Sequence, residues 1–235
     1  MTLSDRLESI IALVSPGRVL ADIGCDHGFI SIELVSRGIS PEVIASDLRE
    51  GPLEKAVSNV RSAGLEDKIF FRISNGFDAY KEGEVRTAVI AGMGGVLIRD
   101  ILTAGLDKVK LMDDLVVQPQ SNIPEFRLFL RTSGFTILKN VIVKDSGKYY
   151  FPMKIRYTGG TLAEGADDIT ADDRYGADLI KEDRGLSEYL EYEMDSYRKI
   201  YERLITSEGE HAERSVEIKE LMDLNRKIYD SLNNK

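Results

Sequence analysis

Residues 20–28, Leu20-Ala21-Asp22-Ile23-Gly24-Cys25-Asp26-His27-Gly28, are a short apolar strand followed directly by a glycine-rich turn. The glycines let the backbone turn sharply and approach a ligand closely, and the helix that starts after them has free N–H groups. The polar end of a ligand fits such a turn. A plain strand-to-helix turn is the alternative, and it explains the glycines but not the two aspartates.

Further apolar runs extend this unit into a repeat. Runs rich in β-branched residues occupy residues 18–23, 42–47, 69–74, 88–91 and 115–118, and each is followed by a segment with helical character. Short links of this kind favour right-handed crossovers and a parallel sheet. Residues 135–145 and 148–157 then predict two antiparallel strands joined at Ser146-Gly147. A parallel α/β sheet that ends in a hairpin is typical of class I, Rossmann-like methyltransferases, whereas nicotinamide-binding folds usually continue with another β-α unit.

The charge distribution predicts two segments. The chain has 235 residues and a formal net charge of -9. Residues 1–159 hold 20 basic and 20 acidic side chains, whereas residues 160–235 hold 11 and 20. We therefore expect a ligand-binding domain over residues 1–159, and a connector with a helical hairpin over residues 160–235. The acidic second segment argues against broad, nonspecific binding to phosphates.

The last part of the chain has the pattern of an antiparallel helical coiled coil. Two helices are predicted beyond residue 184, with a break at residues 207–209, and each carries apolar residues at steps of three and four. Asn225 falls within the second apolar seam, where a single amide can fix the register of two helices. A solvated residue at a frayed helix end is the alternative. Residues 161–183 are predicted to be an irregular connector that contains at most a short helix.

Several classes of protein are excluded by composition. No apolar run approaches the roughly 18 residues of a membrane span, and the first residues lack a secretory signal. We therefore expect a cytoplasmic protein. Cys25 is the only cysteine and there are two histidines, so neither a disulfide nor a thiolate metal cluster is expected. Nothing in the sequence indicates an obligate protein partner.

The acids in the glycine turn indicate which ligand is bound. In the dinucleotide fingerprint a second glycine lies close to a pyrophosphate, but Asp26 occupies that position and would repel one. S-adenosylmethionine carries an amino acid and a sulfonium cation, for which Asp22 and Asp26 supply the complementary charge. Asp47 ends the second strand 25 residues after Asp22, near the spacing at which an acid accepts hydrogen bonds from ribose hydroxyls. Capping of the next helix is its alternative role.

Three later strands add candidates at the same edge of the sheet. Asn75 and Gly76 follow the third strand, where the amide can pair with adenine, although Asn-Gly is also common in a plain turn. Gly92 and Met93 follow the fourth strand, where Met93 is either a catalytic group or a flexible wall. Gln118 ends the fifth strand and is predicted to hold a base. The Asn-Pro-Pro-aromatic motif of amino-group methyltransferases is absent, which favours a ring nitrogen as the methyl acceptor.

A set of cationic and aromatic residues predicts contacts with RNA. Unpaired bases are read by stacking on aromatic rings, for which Tyr149 and Phe29 are candidates. The predicted cationic contacts are Arg6, Arg99, Arg127, Arg131 and Lys148. Phe126 and Phe129, beside Arg127 on the same helix, have the spacing of core residues.

The motifs occur together in an order that resembles the bacterial TrmK family: residues 22–28, Gly92-Met93-Gly94-Gly95, Gln118-Pro119 and Gly147-Lys148-Tyr149-Tyr150. The resemblance covers essentially the whole chain. It implies methylation of N1 of adenine 22 in tRNA with S-adenosylmethionine as the methyl donor. The chain departs from the family pattern at Gln120, where an asparagine is usual, and at Phe151, where a carboxylate often follows the paired aromatics.

The resemblance implies roles for individual residues. The expected cofactor-binding residues are Asp22, Gly24, Asp26, His27, Asp47, Asn75, Gly76, Gly92 and Met93, and the expected catalytic residues are Asp26, His27, Met93 and Gln118. Since methylation leaves the adenine ring cationic, Asp26 is predicted to stabilise the charge that develops; alternatively it contacts only the donor. His27 either orients Asp26, contacts the base, or is a hydrogen-bonded residue at a helix start.

Two other functions are compatible with the same residues. One is a non-catalytic RNA-binding or scaffold protein on a degenerate methyltransferase fold, against which the intact glycine turn argues. The other is a methyltransferase that acts on a small molecule.

Overall fold

The computed structural model describes residues 3–160, 168–182, 185–206 and 212–233. Seven strands form one mixed sheet: β1 Leu20–Ile23, β2 Val43–Asp47, β3 Ile69–Ile73, β4 Thr87–Met93, β5 Asp114–Pro119, β6 Phe135–Asn140 and β9 Met153–Tyr157. Their order across the sheet is β3-β2-β1-β4-β5-β9-β6. The first five strands are parallel to one another, and β9 is antiparallel to both β5 and β6. The predicted class I methyltransferase architecture is confirmed.

Helices cover both faces of this sheet. They are α1 Asp5–Ile11, α2 Phe29–Ser36, α3 Glu50–Ala63, α4 Gly95–Ala104, α5 Leu106–Val109 and α6 Ile123–Thr132. Because successive side chains of a strand point to opposite faces, Leu20 packs with α1, α2 and α3, while Ala21 packs with α4 and α6. Burial on both faces explains why the central strands read as continuous apolar runs.

The predicted hairpin is present but interrupted. Beyond β6 and before β9, the chain forms a separate two-stranded sheet of β7 Val143–Asp145 and β8 Lys148–Tyr150, joined at Ser146-Gly147. Pro152 lies just before β9 and has no N–H to donate to a sheet. The outer half of the hairpin therefore separates from the main sheet.

One predicted helix does not form. The sequence repeat predicts a helix after the third strand, but residues 74–86 form turns between β3 and β4. Their apolar side chains, Phe77 and Tyr80, nevertheless fill the core beneath the sheet. Tyr80 donates its hydroxyl hydrogen to the backbone carbonyl of Ile44, at 2.9 Å, so its polar end is satisfied inside the protein.

The C-terminal part consists of helices that pack on the hairpin end of the sheet. They are α7 Ala171–Tyr175, α8 Ala177–Glu182, α9 Leu186–Thr206 and α10 Ala212–Asn233. The predicted helical pair, α9 with α10, is confirmed; its break at 207–209 lies outside the described residues. Asn225 is buried in the seam, where its Nδ2 donates to the Leu190 carbonyl at 3.1 Å and to a Glu193 carboxylate oxygen at 3.0 Å. None of the described helices is long and apolar enough to cross a membrane.

A buried carboxylate links the amino ends of the strands, on the side of the sheet opposite the glycine turn. Asp114 is 2% exposed and accepts hydrogen bonds from Ser15 at 2.6 Å, from Thr87 at 2.9 Å and from Arg18 at 3.2 Å. These donors join the segment after α1 to β4 and β5.

We expect Asp114→Ala to destabilise the protein by about 3 kcal/mol, because it removes the buried acceptor shared by the Ser15 and Thr87 hydroxyls and one of the two carboxylate partners of Arg18. Urea unfolding measures the change, with the exposed Asp107→Ala as the matched control. A loss no larger than that of the control would contradict this role for Asp114.

Candidate active site

A cavity of about 600 Å³ opens at the carboxyl ends of the parallel strands, the edge where open α/β sheets hold their ligands. This volume lies within the range typical of small-molecule sites. The sequence-predicted residues that line it are Arg6, Gly24, Asp26, His27, Phe29, Asp47, Asn75, Gly76, Gly92 and Met93. The fold thus brings ten predicted residues, from six separate elements and turns, to one place.

The turn after β1 forms one wall of the cavity through left-handed backbone. Gly24 and Gly28 both have φ near +72°, and Asp26 has φ of +48°. The N–H groups of Gly24 and Cys25 both donate to the Ser46 carbonyl, at 2.8 and 2.9 Å, which fixes the turn to the end of β2. Since aspartate tolerates the left-handed region better than most residues, this turn can present a carboxylate at its tip.

The end of β4 forms the facing wall. Gly92 has φ of +79° and lies where the pairing register between β4 and β5 shifts, so it is part of a β-bulge. The bulge directs Met93 towards the turn after β1. A Cβ placed on Gly24 would overlap the terminal methyl group of Met93. Met93 is flexible and could move away from such a Cβ, so it is the left-handed backbone at position 24, with φ of +72°, that favours glycine there.

Two acids line the cavity with different surroundings. Asp47 is 9% exposed, and one of its oxygens accepts the N–H of Arg49 at 3.0 Å. This bond does not cap α3, whose N-cap is Arg49 itself. The Asp26 side chain is 64% exposed at the mouth, where its carboxylate lies 3.5 Å from Nε2 of His27. The ring of His27 in turn stacks on Phe29, with ring centroids 5.5 Å apart.

Asp22 does not line the cavity, which corrects its predicted contact with the ligand. Its side chain is 3% exposed and accepts the Ser31 hydroxyl at 2.6 Å. Burial raises the pKa of Asp22 to about 6. Hydrogen bonds from the side chain and backbone of Ser31 oppose this shift, and the charge of Asp47 adds to it. Asp22 supports the turn from behind by holding the first residues of α2.

Gln118 is also placed behind the cavity, and its prediction as a base-holding residue is corrected. The side chain is fully buried, with its Nε2 donating to the Pro119 carbonyl at 2.9 Å and its Oε1 accepting from Nη1 of Arg6 at 2.9 Å. Both ends of the amide are thus occupied. Gln120, two residues further on, is exposed and lines the cavity instead.

Two of the predicted RNA contacts on α6 are held by the C-terminal helices. Arg127 is 1% exposed and donates to the carbonyl oxygen of Arg174 at 2.8 Å. Burial lowers the pKa of Arg127 to about 10. A side chain without surface cannot contact RNA in this structure, so that prediction is corrected. Arg131 makes two hydrogen bonds with the carboxylate of Asp173, at 2.8 and 3.1 Å.

The other three predicted RNA contacts lie outside the cavity lining. Tyr149 packs against Tyr189 and Tyr192 of α9, with ring centroids 5.3 and 5.0 Å away, and donates its hydroxyl hydrogen to Glu188. Its ring is therefore occupied rather than open to a base. Arg99 and Lys148 are exposed, on α4 and β8 respectively. Contacts of these two residues with RNA stay predictions.

Sequence reasoning missed ten lining residues, most of which are adjacent in sequence to a predicted one. They are Leu7, Ile23, Cys25, Ile30, Leu48, Arg49, Ser74, Ala91, Leu97 and Ile101. Leu48 and Leu97 are 64% and 50% exposed, which is unusual for leucine side chains and gives the mouth an apolar rim. The rule that ligands bind beyond strand ends could have found Leu48 and Arg49, because they follow Asp47 directly.

Comparisons with known proteins agree with this geometry. A family model described as a methyltransferase domain matches residues 3–153. The chain is 30% identical over 225 residues to the tRNA (adenine(22)-N(1))-methyltransferase of Bacillus subtilis (strain 168), and the match covers 95% of this chain and 94% of that protein. The chain belongs to this methyltransferase family. The family resemblance predicted from the motifs is thereby confirmed.

Solved structures are similar to this protein over nearly its whole length. The crystal structure of the B. subtilis m1A22 tRNA methyltransferase TrmK is 28% identical, with a TM-score of 0.80, and the match covers 97% of this chain and 99% of that one. The structure of M. capricolum TrmK in complex with S-adenosyl-homocysteine is 25% identical, with a TM-score of 0.79, and covers 98% and 99%. Both matches include the C-terminal helices.

The structure also shows the surroundings of Phe151, the second position at which the sequence departs from the family pattern. Phe151 is 3% exposed and packs edge-on against Tyr189 of α9, with ring centroids 4.9 Å apart. Its other neighbour is the buried guanidinium of Arg127, whose Cζ lies 5.4 Å from the ring centroid. Phe151 therefore contributes to docking of the C-terminal helices and lies away from the cavity lining.

The pKa of Asp22 predicts a pH dependence of stability. A folded pKa raised from 3.8 to about 6 means that the folded state binds the proton more tightly, so stability falls as the pH rises through this range. Replacing Asp22 with Asn removes this charge and, with it, the contribution of Asp22 to the pH dependence of stability. Relative to the parent protein, Asp22→Asn should gain up to about 3 kcal/mol between pH 4 and pH 7.5. Urea unfolding at these pH values measures the gain, and a stability difference independent of pH would contradict burial of an ionised Asp22.

Proposed function

We propose that this protein is an S-adenosylmethionine-dependent methyltransferase that methylates N1 of adenine 22 in tRNA. The observation that carries the proposal is the single cavity at the strand ends, in which the glycine turn, Asp47, Asn75 and Met93 meet. The family named for this reaction, to which the chain belongs, supplies the reaction and its substrate. The similarity over nearly the whole chain to a tRNA methyltransferase favours this reading over a scaffold protein or a small-molecule enzyme.

The residues present fit S-adenosylmethionine. Asp47 has one carboxylate oxygen without a hydrogen bond in the described part of the chain, and this oxygen is available to ribose hydroxyls. Asn75 and Gly76 lie beyond β3, and the apolar side chains of Leu48 and Ile101 line the same cavity, so an adenine ring fits here. The backbone turn at Gly24 leaves room for the amino-acid end of the cofactor.

The chemistry of the cofactor is a simple displacement. When bound, it supplies an electrophilic methyl group: the N1 lone pair of adenine forms the new N–C bond while the C–S bond breaks and its electrons stay on sulfur. N1 needs no deprotonation, so the protein has no general base to provide. Catalysis then depends on holding the reacting groups in line and on stabilising charge.

Asp26 is the group that stabilises the positive charge developing on the adenine ring. It lies at the mouth, and the left-handed backbone of the turn fixes its position. Because the adenine ring gains a positive charge as N1 is methylated, a nearby carboxylate stabilises the transition state more than the ground state. His27, 3.5 Å from the carboxylate and stacked on Phe29, orients it. Met93 and Gly92 form the wall against which the reacting groups meet.

The substrate must present an unpaired base. N1 lies on the Watson–Crick edge of adenine, so the target nucleotide has to leave its stack before it can react. The apolar rim of Leu48 and Leu97, with the ring of Phe29, offers the surface on which such a base packs. Gln120 is exposed beside this rim and has no side-chain hydrogen bond in the described part of the chain, so its amide is available to the base.

We also propose how the chain divides its work. Residues 1–159 carry the chemistry, a proposal supported by the methyltransferase-domain match over residues 3–153. Residues 160–235 form a connector and a helical hairpin with its own apolar cluster around Tyr175, Leu186 and Leu190. Since its substrate is tRNA, we place the activity in the cytoplasm.

Incubation with labelled S-adenosylmethionine and bulk tRNA, followed by digestion to nucleosides, tests the reaction. We expect label in 1-methyladenosine alone, and none in a transcript in which adenine 22 is replaced by another base. Label in N6-methyladenosine or in methylguanosine would contradict the choice of N1.

Asp26→Asn tests the charge argument, because asparagine keeps the left-handed backbone and removes only the charge. We expect kcat for tRNA to fall about 100-fold, with the affinity for S-adenosylmethionine changed by less than about threefold. The exposed Asp67→Asn is the matched control. A variant that lost cofactor affinity and kept its turnover would show instead that Asp26 contacts only the donor.

A further inference from the structure

One arginine at the mouth of the cavity is fixed from three sides. Nη1 of Arg6 donates to Oε1 of Gln118 at 2.9 Å, and its guanidinium carbon lies 5.5 Å from the ring centroid of Tyr150. The backbone N–H of Arg6 donates to a carboxylate oxygen of Asp145 at 3.2 Å. Three strands thus contact one residue of α1: β5 and β8 hold its side chain, and β7 holds its backbone. An arginine that serves only solubility does not require such support.

Gln118 determines where this guanidinium lies. Its Nε2 donates to the Pro119 carbonyl, so the amide cannot turn over, and Oε1 must face Arg6. The side chain is fully buried and is absent from the cavity lining. Its hydrogen bond to Arg6 is therefore the route by which we expect Gln118 to affect the reaction.

The other side of the guanidinium is open. Nε and Nη2 of Arg6 have no hydrogen-bond acceptor in the part of the chain that the structure describes, and Arg6 lines the cavity. It lies beside Gly92, where a Cβ would come within 3.6 Å of Nη1. Two N–H donors of a positioned cation are thus available at the end of the cavity where Gln120 and Met93 also lie.

The chemistry of the reaction selects the acceptor for these donors. A hydrogen bond from Arg6 to adenine N1 would occupy the lone pair that must attack. A contact with the ring would also place a cation against a base that becomes positively charged. A phosphate oxygen has neither conflict, and the planar guanidinium fork matches phosphate geometry.

We propose that Gln118 is a positioning residue which, through Arg6, fixes a backbone phosphate of the target nucleotide at the mouth of the cavity. This proposal rests on the proposed function and adds to it the contact that holds the displaced nucleotide. It also explains why a buried amide occupies the end of β5: the amide restricts the guanidinium to the orientation in which its free edge faces the substrate.

The test compares Arg6→Gln, Arg6→Lys, Gln118→Leu and the double variant Arg6→Gln/Gln118→Leu with the parent protein. Arg61→Gln is the control, since it removes an equally basic side chain from an exposed position on α3. For each protein we measure S-adenosylmethionine affinity by calorimetry, kcat and KM for tRNA, and the dependence of kcat/KM on salt. Thermal unfolding confirms that each variant is folded.

We expect Arg6→Gln to raise KM for tRNA about tenfold and to reduce the salt slope of log(kcat/KM) by about one, as loss of one phosphate contact does. Cofactor affinity should stay within twofold. Arg6→Lys should keep the salt slope and raise KM about threefold. Gln118→Leu should raise KM about fivefold in the parent but less than twofold in the Arg6→Gln background.

Other results would overturn the proposal. An unchanged salt slope with a lower kcat in Arg6→Gln would assign Arg6 to the base, and additive effects in the double variant would show that Gln118 acts independently of Arg6. If Gln118→Leu fails to fold, the Arg6 pair of variants still decides whether a phosphate is bound. A parent protein that does not methylate adenine in tRNA would refute the proposed function instead, because none of these comparisons could then be made.

Discussion

The cavity depends on how closely two strand ends approach each other. The terminal methyl group of Met93, at the end of β4, occupies the space that the Cβ of any residue other than glycine at position 24 would fill. Gly24 and Gly92 both adopt positive φ, so each strand turns away from the sheet at the point of contact. The turn after β1 and the bulge of β4 thereby become the facing walls of one site, and the other lining residues are arranged around them.

Two buried polar residues outside the cavity lining, Asp22 and Gln118, support the charged groups of the site. Asp22 is buried behind the turn and holds Ser31 at the start of α2, at the cost of keeping a carboxylate away from water. Gln118 is buried behind the mouth and orients Arg6. In both cases a polar side chain at a strand end acts on the site through one hydrogen bond. Two groups in the cavity lining, Asp26 and Arg6, carry opposite charges that suit a cationic base and an anionic backbone.

Much of the site was predictable because it follows from topology. Once a parallel sheet is inferred, residues just beyond its strand ends must meet, which is why Asp47, Asn75 and Met93 were found together. Side-chain direction was less accessible. Gln118 and Gln120 have the same residue type and lie two positions apart, but only the pairing of β5 with both neighbours shows that the first is enclosed. Arg127 lies on the buried side of α6 because α7 packs over it, and no local pattern contains that contact. A helix was wrongly predicted at residues 74–86. The apolar side chains of Phe77 and Tyr80 have the spacing of a helix face, but they are buried from a segment of turns.

A crystal structure with S-adenosylhomocysteine, the demethylated cofactor, tests the central claim most directly. We expect its ribose at Asp47, its adenine beside Asn75 and its amino-acid end at the turn of residues 24–28, with the sulfur facing the mouth at which Asp26 and Arg6 lie. Binding in the reverse direction, or at a different surface with this cavity empty, would contradict it.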